Sequence, residues 1–243
     1  MLTREQVIVL LGQADTAWRS VRAVARQWQR HDLVTAAFEQ HAAALAGNPD
    51  VTVFSLRAGD DEPDPDPIIE LVLAVATDQR GRRRRADVLS RRGDSWLFDT
   101  LVVDGDSFWA RTGGAVQSNG GSPASGHGGA DIVDLLMPGA VPAGFDLAAS
   151  GQEEVVAGRR CAVVEATPRP FEPYSFGRIR GSEAFHMIAG GTDFRLSVDL
   201  DTGVLLRVVK FVAGETAEVC EFTSIAFDEE LDDAMFAPLV PSP

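Results

Sequence analysis

The chain has little sulfur chemistry to offer. It holds two cysteines, Cys161 and Cys220, in 243 residues. Both fall in runs that read as strands, so buried free thiols are the plain reading, because a free cysteine packs as a small hydrophobe. A disulfide would require their strands to be neighbours. Histidine is nearly as scarce. His31, His41, His127 and His186 form no HExxH or other zinc spacing, and Glu39 with His41, two residues apart, would not share a helix face. No GxSxG elbow, P-loop or GxGxxG is present. No apolar run approaches the ~20 residues that span a bilayer. The run Val7 to Leu11 is five residues long, too short for a signal peptide, and no small-residue cleavage site follows it. A cytoplasmic protein is expected on that ground. Positive charge is in deficit, with 22 Lys and Arg against 36 Asp and Glu, a net −14. That balance excludes unselective binding to nucleic acid or to anionic lipid surfaces. These absences name no catalytic residue, metal or cofactor, and they point to a binding protein that is not an enzyme.

What is present is core material. Hydrophobic residues make up 45 % of the chain, enough for one domain over 1–243 with a helical N-terminal part, 1–47, and a Gly/Ser insertion, 113–129. Thr3 with Gln6 makes a capping box, and Val7, Leu11, Ala14 and Trp18 form a stripe at helical spacing, so Thr3 to Trp18 reads as a helix. Ser20 to Gln29 fits either more helix or a first strand. Asp32 to Ala46 reads as a second helix and Val51 to Arg57 as a strand. The run Gly59 to Pro67, acidic and proline-punctuated, reads as a solvated loop without calcium-loop spacing. Ile68 to Ala76 suits a strand buried on both faces. The arginines at 80 and 82–85, with Arg91 and Arg92, read as a solvated strand edge that answers the acidic loop and guards against mispairing. They lack the interleaved aromatics of a nucleic-acid site.

Two stretches read as hairpins. In Trp96 to Arg111, an Asp104-Gly105 turn sets Val103 opposite Asp106, Leu101 opposite Phe108 and Thr100 opposite Trp109. Leu101, Val103 and Phe108 then share one face, and Val102 and Trp109 the other. Near the C-terminus, a loop at 201–203 with Gly203 in the left-handed position sets Val198 opposite Leu206, Leu196 opposite Val208 and Phe194 opposite Lys210. A second three-residue turn, Ala213 to Glu215, pairs Leu206 with Phe222, Val208 with Cys220, Lys210 with Glu218 and Arg207 with Glu221, so that both ionic pairs meet. In that register Phe194, Leu196, Val198, Leu200, Val204, Leu206, Val208, Cys220 and Phe222 share a face. Arg195, Ser197, Asp199, Arg207 and Glu221 share the other. Burying each large apolar member is worth roughly 1.5–3 kcal/mol, so that wall needs a cover. Between the hairpins, Gly113 to Gly129 reads as a flexible linker and Asp131 to Met137 as a short helix. Phe145 to Ala149, Glu153 to Val156 and Arg160 to Thr167 read as strands, and Pro168 to Gly191 as an aromatic-rich loop folded over an apolar surface. Asp228 to Phe236 reads as a closing helix.

The succession of an N-terminal helix, an arginine-marked strand, WLFDTLVVDGDSFWA, VAGRRCAVVEATP and FRLSVDLDTGVLLRVVKF ending in FDEELDDAMFAP resembles the LolA-like lipoprotein-carrier fold, most of all an uncharacterised actinobacterial branch. The resemblance runs from about Val51 to Pro238. It implies an α+β fold, a strongly curved antiparallel half-barrel whose concave side is covered by helices around an apolar cavity. Relatives use that cavity for lipoprotein acyl chains, for glycolipids or for sensing misplaced lipoproteins in sigma-factor control. The expectation for this chain is a cytoplasmic carrier or sensor of a lipid, an acyl chain or another hydrophobic small molecule. Phe194, Leu196, Val198, Leu206, Val208, Phe222, Leu101, Val103 and Phe108 would contact that ligand. Phe185 to Met187 and the Gly/Ser linker would form a lid. A protein-interaction module with a filled core, docking an acidic partner through residues 80–92, is the second reading, and an enzyme built in the cavity is the third.

Overall fold

The computed structural model describes residues 2–37, 68–78, 83–92, 95–112, 115–120, 135–169 and 191–239. Helix α1 (Arg4–Gln13) starts where the sequence places it. Thr3 Oγ1 accepts from the Gln6 N–H, and Gln6 Oε1 accepts from the Thr3 N–H at 2.8 Å, closing the capping box. A 3-10 turn, Ala14–Thr16, ends it. A short helix at 31–37 follows the first strand, and Val141–Gly144 forms a third.

Among the described residues the chain otherwise forms one antiparallel sheet of eleven strands: β1 (Ser20–Arg30), β2 (Ile68–Asp78), β3 (Arg83–Arg92), β4 (Ser95–Asp104), β5 (Ser107–Thr112), β6 (Ala115–Gly120), β7 (Phe145–Val156), β8 (Arg159–Pro168), β9 (Asp193–Asp199), β10 (Leu205–Val212) and β11 (Glu215–Phe227). The order is β6-β5-β4-β3-β2-β1-β11-β10-β9-β8-β7. The first strand therefore lies mid-sheet between β2 and the last strand, and two meanders run outward from it to the open edges. The sheet bends far enough that β7 and β11 touch, although three strands separate them in that order.

The ambiguous stretch Ser20 to Gln29 is a strand. Val21, Ala23, Ala25 and Gln27 are buried at every second position, and that period decides the matter. Other expectations need correction. Ala115–Gly120 is no linker but the edge strand β6, paired to β5 from Thr112↔Ala115 onward. Strand β3 is no edge either, since it pairs on both sides. The two strands expected around residues 145–156 are one, bulged between Ala149 and Glu153. Residues 135–137 form a turn instead of helix, and the terminal helix shrinks to a 3-10 turn, Asp233–Phe236. The strand expected at Val51 to Arg57, the acidic loop, the rest of the second helix and the aromatic loop with Phe185 to Met187 lie outside the described residues, as do His41, His127 and His186.

The turns explain the register differences. The β4–β5 turn is Gly105-Asp106, one residue later than expected, with Val103↔Phe108 and Leu101↔Ala110. Gly105 has φ +58° while Asp106 is not left-handed. That sign pattern places glycine first, as in a II′ turn, not second as in I′. The partner moves by two residues, so every side chain keeps its face. In β10–β11 the turn is the two-residue Ala213-Gly214, both left-handed at φ +51° and +85°. A bulge between Lys210 and Phe211 then restores Lys210↔Glu218, Val208↔Cys220 and Arg207↔Glu221 as expected. In β9–β10 the pairs Leu196↔Val208 and Phe194↔Lys210 hold. Val198 faces Leu205 instead of Leu206, because the register shifts between Leu205 and Arg207.

One apolar core gathers α1 and both meanders of the sheet. It joins Val7, Leu11, Ala14 and Trp18 to side chains from both meanders, from Leu101 and Phe108 to Phe194 and Phe222. On the opposite face, Phe236 packs with Ala76 and Val102, flanked by Trp109, Leu231 and Met235. Arg83 stacks over Phe236 at 4.7 Å and pairs with Asp78 and Asp233, while Arg85 donates to Asp87 and to the Met235 carbonyl. Those two arginines of the basic stretch thus hold the C-terminal segment down.

Candidate functional site

All nine residues expected to contact a ligand sit on the core face. Phe194, Leu196, Val198, Leu206, Val208, Phe222, Leu101 and Phe108 are buried in the core, and Val103 is half-buried against it. Of the remaining wall residues, Val204 is buried, Cys220 packs partly against the core, and Leu200 stands outside it. The wall is one surface, but its cover is uneven.

One row of directly opposed residues makes the unevenness visible. Reading across the sheet from β4 to β8, it runs Leu97, Ser90, Leu71, Gln27, Cys220, Val208, Leu196 and Val164. Residues opposed across an antiparallel pair share a face. Leu196 and Val164 are 0 % exposed, Leu71 is half-buried, and Leu97 is 56 % exposed. Along this row the face is therefore sealed over β8–β10 and open at the Leu97 end of β4, whereas Leu101, on the same strand and face, is buried. The seal is tight at the C-terminal hairpin loop. A Cβ on Gly203, which has φ +77°, would lie 2.0 Å from the Leu10 carbonyl oxygen of α1. Phe194 and Phe145 meet edge to face with centroids 5.2 Å apart.

A polar group interrupts the apolar row. Lys210 Nζ donates to Glu218 Oε2 at 2.6 Å, Gln27 Nε2 donates to Glu218 Oε1 at 2.5 Å, and the Cys220 thiol donates to the same oxygen at 3.5 Å. Lys210 is almost wholly buried. A buried charge persists only when paired and hydrogen-bonded, and this one is both. The Lys210–Glu218 pair was legible in the register, but Gln27 was not, because it required β1 beside β11.

The face expected to be polar carries a second buried pair. Arg159 Nε donates to Asp199 Oδ2, and Arg159 Nη2 donates to Asp201 at 3.1 Å. Asp199 Oδ1 accepts from the N–H groups of Asp201 and Thr202, each at 2.9 Å. The guanidinium also stacks over Phe227 at 5.0 Å. Burial alone would push the Asp199 carboxyl up, but these hydrogen bonds outweigh it and hold the group below its ordinary value. The VAGRR turn and the DLDTG hairpin, separate in sequence, are thereby tied to each other. Their residues are structural.

No disulfide joins Cys161 and Cys220, whose strands are separated by β9 and β10. Burial, with help from Asp199, pushes the Cys161 thiol up to about 12. Among the described residues no group of three or more His, Cys, Asp or Glu could hold a metal, and no helix is long and apolar enough to cross a membrane.

No family model and no curated protein matches the chain. Solved structures do. MucB is 15 % identical with a TM-score of 0.46, covering 98 % of this chain, which spans 63 % of that protein's length. LprF from Mycobacterium bovis is 12 % identical, covering 99 % of this chain and 98 % of its own, with a TM-score of 0.45. A LolA superfamily protein from Nitrosomonas europaea is 8 % identical, with 98 % of each chain covered and a TM-score of 0.33.

Proposed function

We propose that the protein is a non-enzymatic carrier or sensor of a hydrophobic ligand, a lipid or an acyl chain, held against the core face of the sheet. The observation that carries this reading is the gradient along the row from Leu196 to Leu97, where one face of the sheet passes from fully sealed to more than half exposed. Apolar surface at that open end is stabilised by whatever covers it, and pockets for such ligands are mostly apolar with few polar groups. The ligand would then lie over Leu101, Val103 and Phe108, with Leu97 at its mouth. Phe194, Leu196, Val198, Leu206, Val208 and Phe222 would form the floor beneath α1, on the concave side of a half-barrel. Lys210, Glu218 and Gln27 supply the polar group bordering that floor.

Native mass spectrometry of gently purified protein tests this. An added apolar mass is expected, and its occupancy should fall in Val103→Arg. Clean ligand-free protein from several expression hosts would overturn the reading.

The zero exposure of Phe194, Leu196, Val198 and Leu206 favours a second reading, a regulatory module with a filled core that binds a protein. That reading predicts ligand-free protein, so the same measurement separates the two.

A further inference from the structure

Between the buried Leu101 and the exposed Leu97, the ligand face of β4 carries one carboxylate, Asp99. Successive residues of a strand alternate between faces, and the pairing of β4 is unbroken on both sides. Asp99 therefore shares its face with Leu97 and Leu101, and with Val88 and Thr112, which stand opposite it on β3 and β5. Val88 and Leu101 belong to the core. Asp99 itself is half-buried, and among the described residues nothing hydrogen-bonds its buried Oδ1. Comparable carboxylates elsewhere are provided for. Asp87, one strand away on the outer face, accepts from Arg85 Nε at 2.7 Å, Arg85 Nη2 at 3.1 Å and Thr100 Oγ1 at 2.9 Å. Asp199 and Glu218 hold the arginine and lysine described above. On the ligand face of β3 and β4 the cation is Arg84, and it stands opposite Val103, four residues along the strand from Asp99.

An acceptor buried without a donor is costly in the free protein, and a ligand that brings the donor removes that cost. We propose that Asp99 is the polar anchor of the ligand face, and that the ligand is an amphiphile whose head group donates a hydrogen bond, an ammonium or a hydroxyl. The inference rests on the carrier reading and names the ligand class for it. The position suits the task. The apolar chain lies over Leu101, Val103 and Phe108, and the head meets Asp99 beside Leu97 at the mouth. Apolar pockets use a small number of such groups to fix a ligand's orientation. An anionic head group would meet the carboxylate as a like charge, in a half-buried setting where repulsion exceeds that in water.

The test is titration at neutral pH with dodecylamine, 1-dodecanol, methyl laurate and laurate, using protein whose ligand state has been fixed by native mass spectrometry. At least one of the two donors should bind about tenfold or more tightly than methyl laurate, which has the chain without a donor, and laurate should bind worst. Asp99→Leu should erase that preference and still bind methyl laurate. Its thermal unfolding should be no lower than native, since the buried oxygen has no partner to lose. Asp99→Asn, which keeps an acceptor and drops the charge, should spare dodecanol and weaken dodecylamine. Asp106→Asn removes the same charge from an exposed turn and should keep the native ranking. Equal binding of all probes, a ranking that survives Asp99→Leu, or one that Asp106→Asn also abolishes overturns the proposal and leaves the ligand face standing. A clearly lowered unfolding midpoint in Asp99→Leu overturns it too, because the fold would then be using the carboxylate. Binding of no probe, by the native chain or any variant, overturns the carrier reading along with it.

Discussion

Replacing Arg159 by alanine strips the fully buried Asp199 carboxylate of its only charged neighbour within hydrogen-bond reach among the described residues. Breaking a buried pair by removing one partner costs about 3–5 kcal/mol, because the other charge is left uncompensated. Two loop N–H groups still hold Asp199, which favours the lower half of that range. The neighbouring arginine supplies the control. Arg160 bonds Glu153 at 2.7 Å, but both side chains are exposed, and such pairs contribute under about 1 kcal/mol. Urea unfolding should therefore show the midpoint of Arg159→Ala lowered by roughly 1 M or more, and that of Arg160→Ala scarcely moved. Acid adds a second readout. The folded Asp199 group lies below its ordinary value, so its contribution is present above the unfolded value and is lost as pH falls through the folded one. Native protein should lose that increment on acidification, whereas Arg159→Ala should have little of it left to lose. Equal midpoints for the two alanine variants, or the same acid slope in both, would refute the account of the pair.

Two further outcomes follow from local geometry. Gly203→Ala combines a left-handed residue with a clash against the α1 backbone, whereas Gly214→Ala is equally left-handed but faces open space. Thermal unfolding should show Gly214→Ala costing about 1 kcal/mol and Gly203→Ala clearly more. Native protein should keep Cys161 unreactive toward a thiol-disulfide reagent at pH 8, with full labelling only after unfolding, because its thiol is buried and shifted to about 12. Labelling of native Cys161 at the rate of a free thiol would contradict that burial.

Which side chains share a face was legible, because alternation survives errors in the turn. At Gly105 the turn moved by one residue and each partner by two, leaving Leu101, Val103 and Phe108 together. The ionic pairs Lys210↔Glu218 and Arg207↔Glu221 fixed β10–β11 despite the misread loop. Strand β6 was not legible. AVQSNG lies at a sheet edge, its exposed positions demand no apolar alternation, and its glycine and serine read as linker. The strand β1 hid for a related reason. Its buried positions include two alanines among arginines and glutamines, which suit a helix as well as a strand. Asp199 carried a signal that was available, an aspartate two residues before the Asp201-Thr202-Gly203 turn, the pattern of a side chain that caps backbone N–H groups. Its partner Arg159 could not be named until β8 lay beside β9. The uneven cover of the apolar wall depends on where α1 rests, and no periodicity within the strands reports that.

The placement of β1 between β2 and β11 has a cost during synthesis. Every other neighbouring pair in the sheet joins consecutive strands, but Val21 waits for Phe227. A chain emerging from the ribosome can zip its first meander onto one side of β1 while the other side stays bare until β11 has been made. For that interval the middle of the finished sheet is a raw strand edge, open to any passing extended segment, and the birth of this protein is most exposed to mispairing at the position that is best protected once the fold is complete.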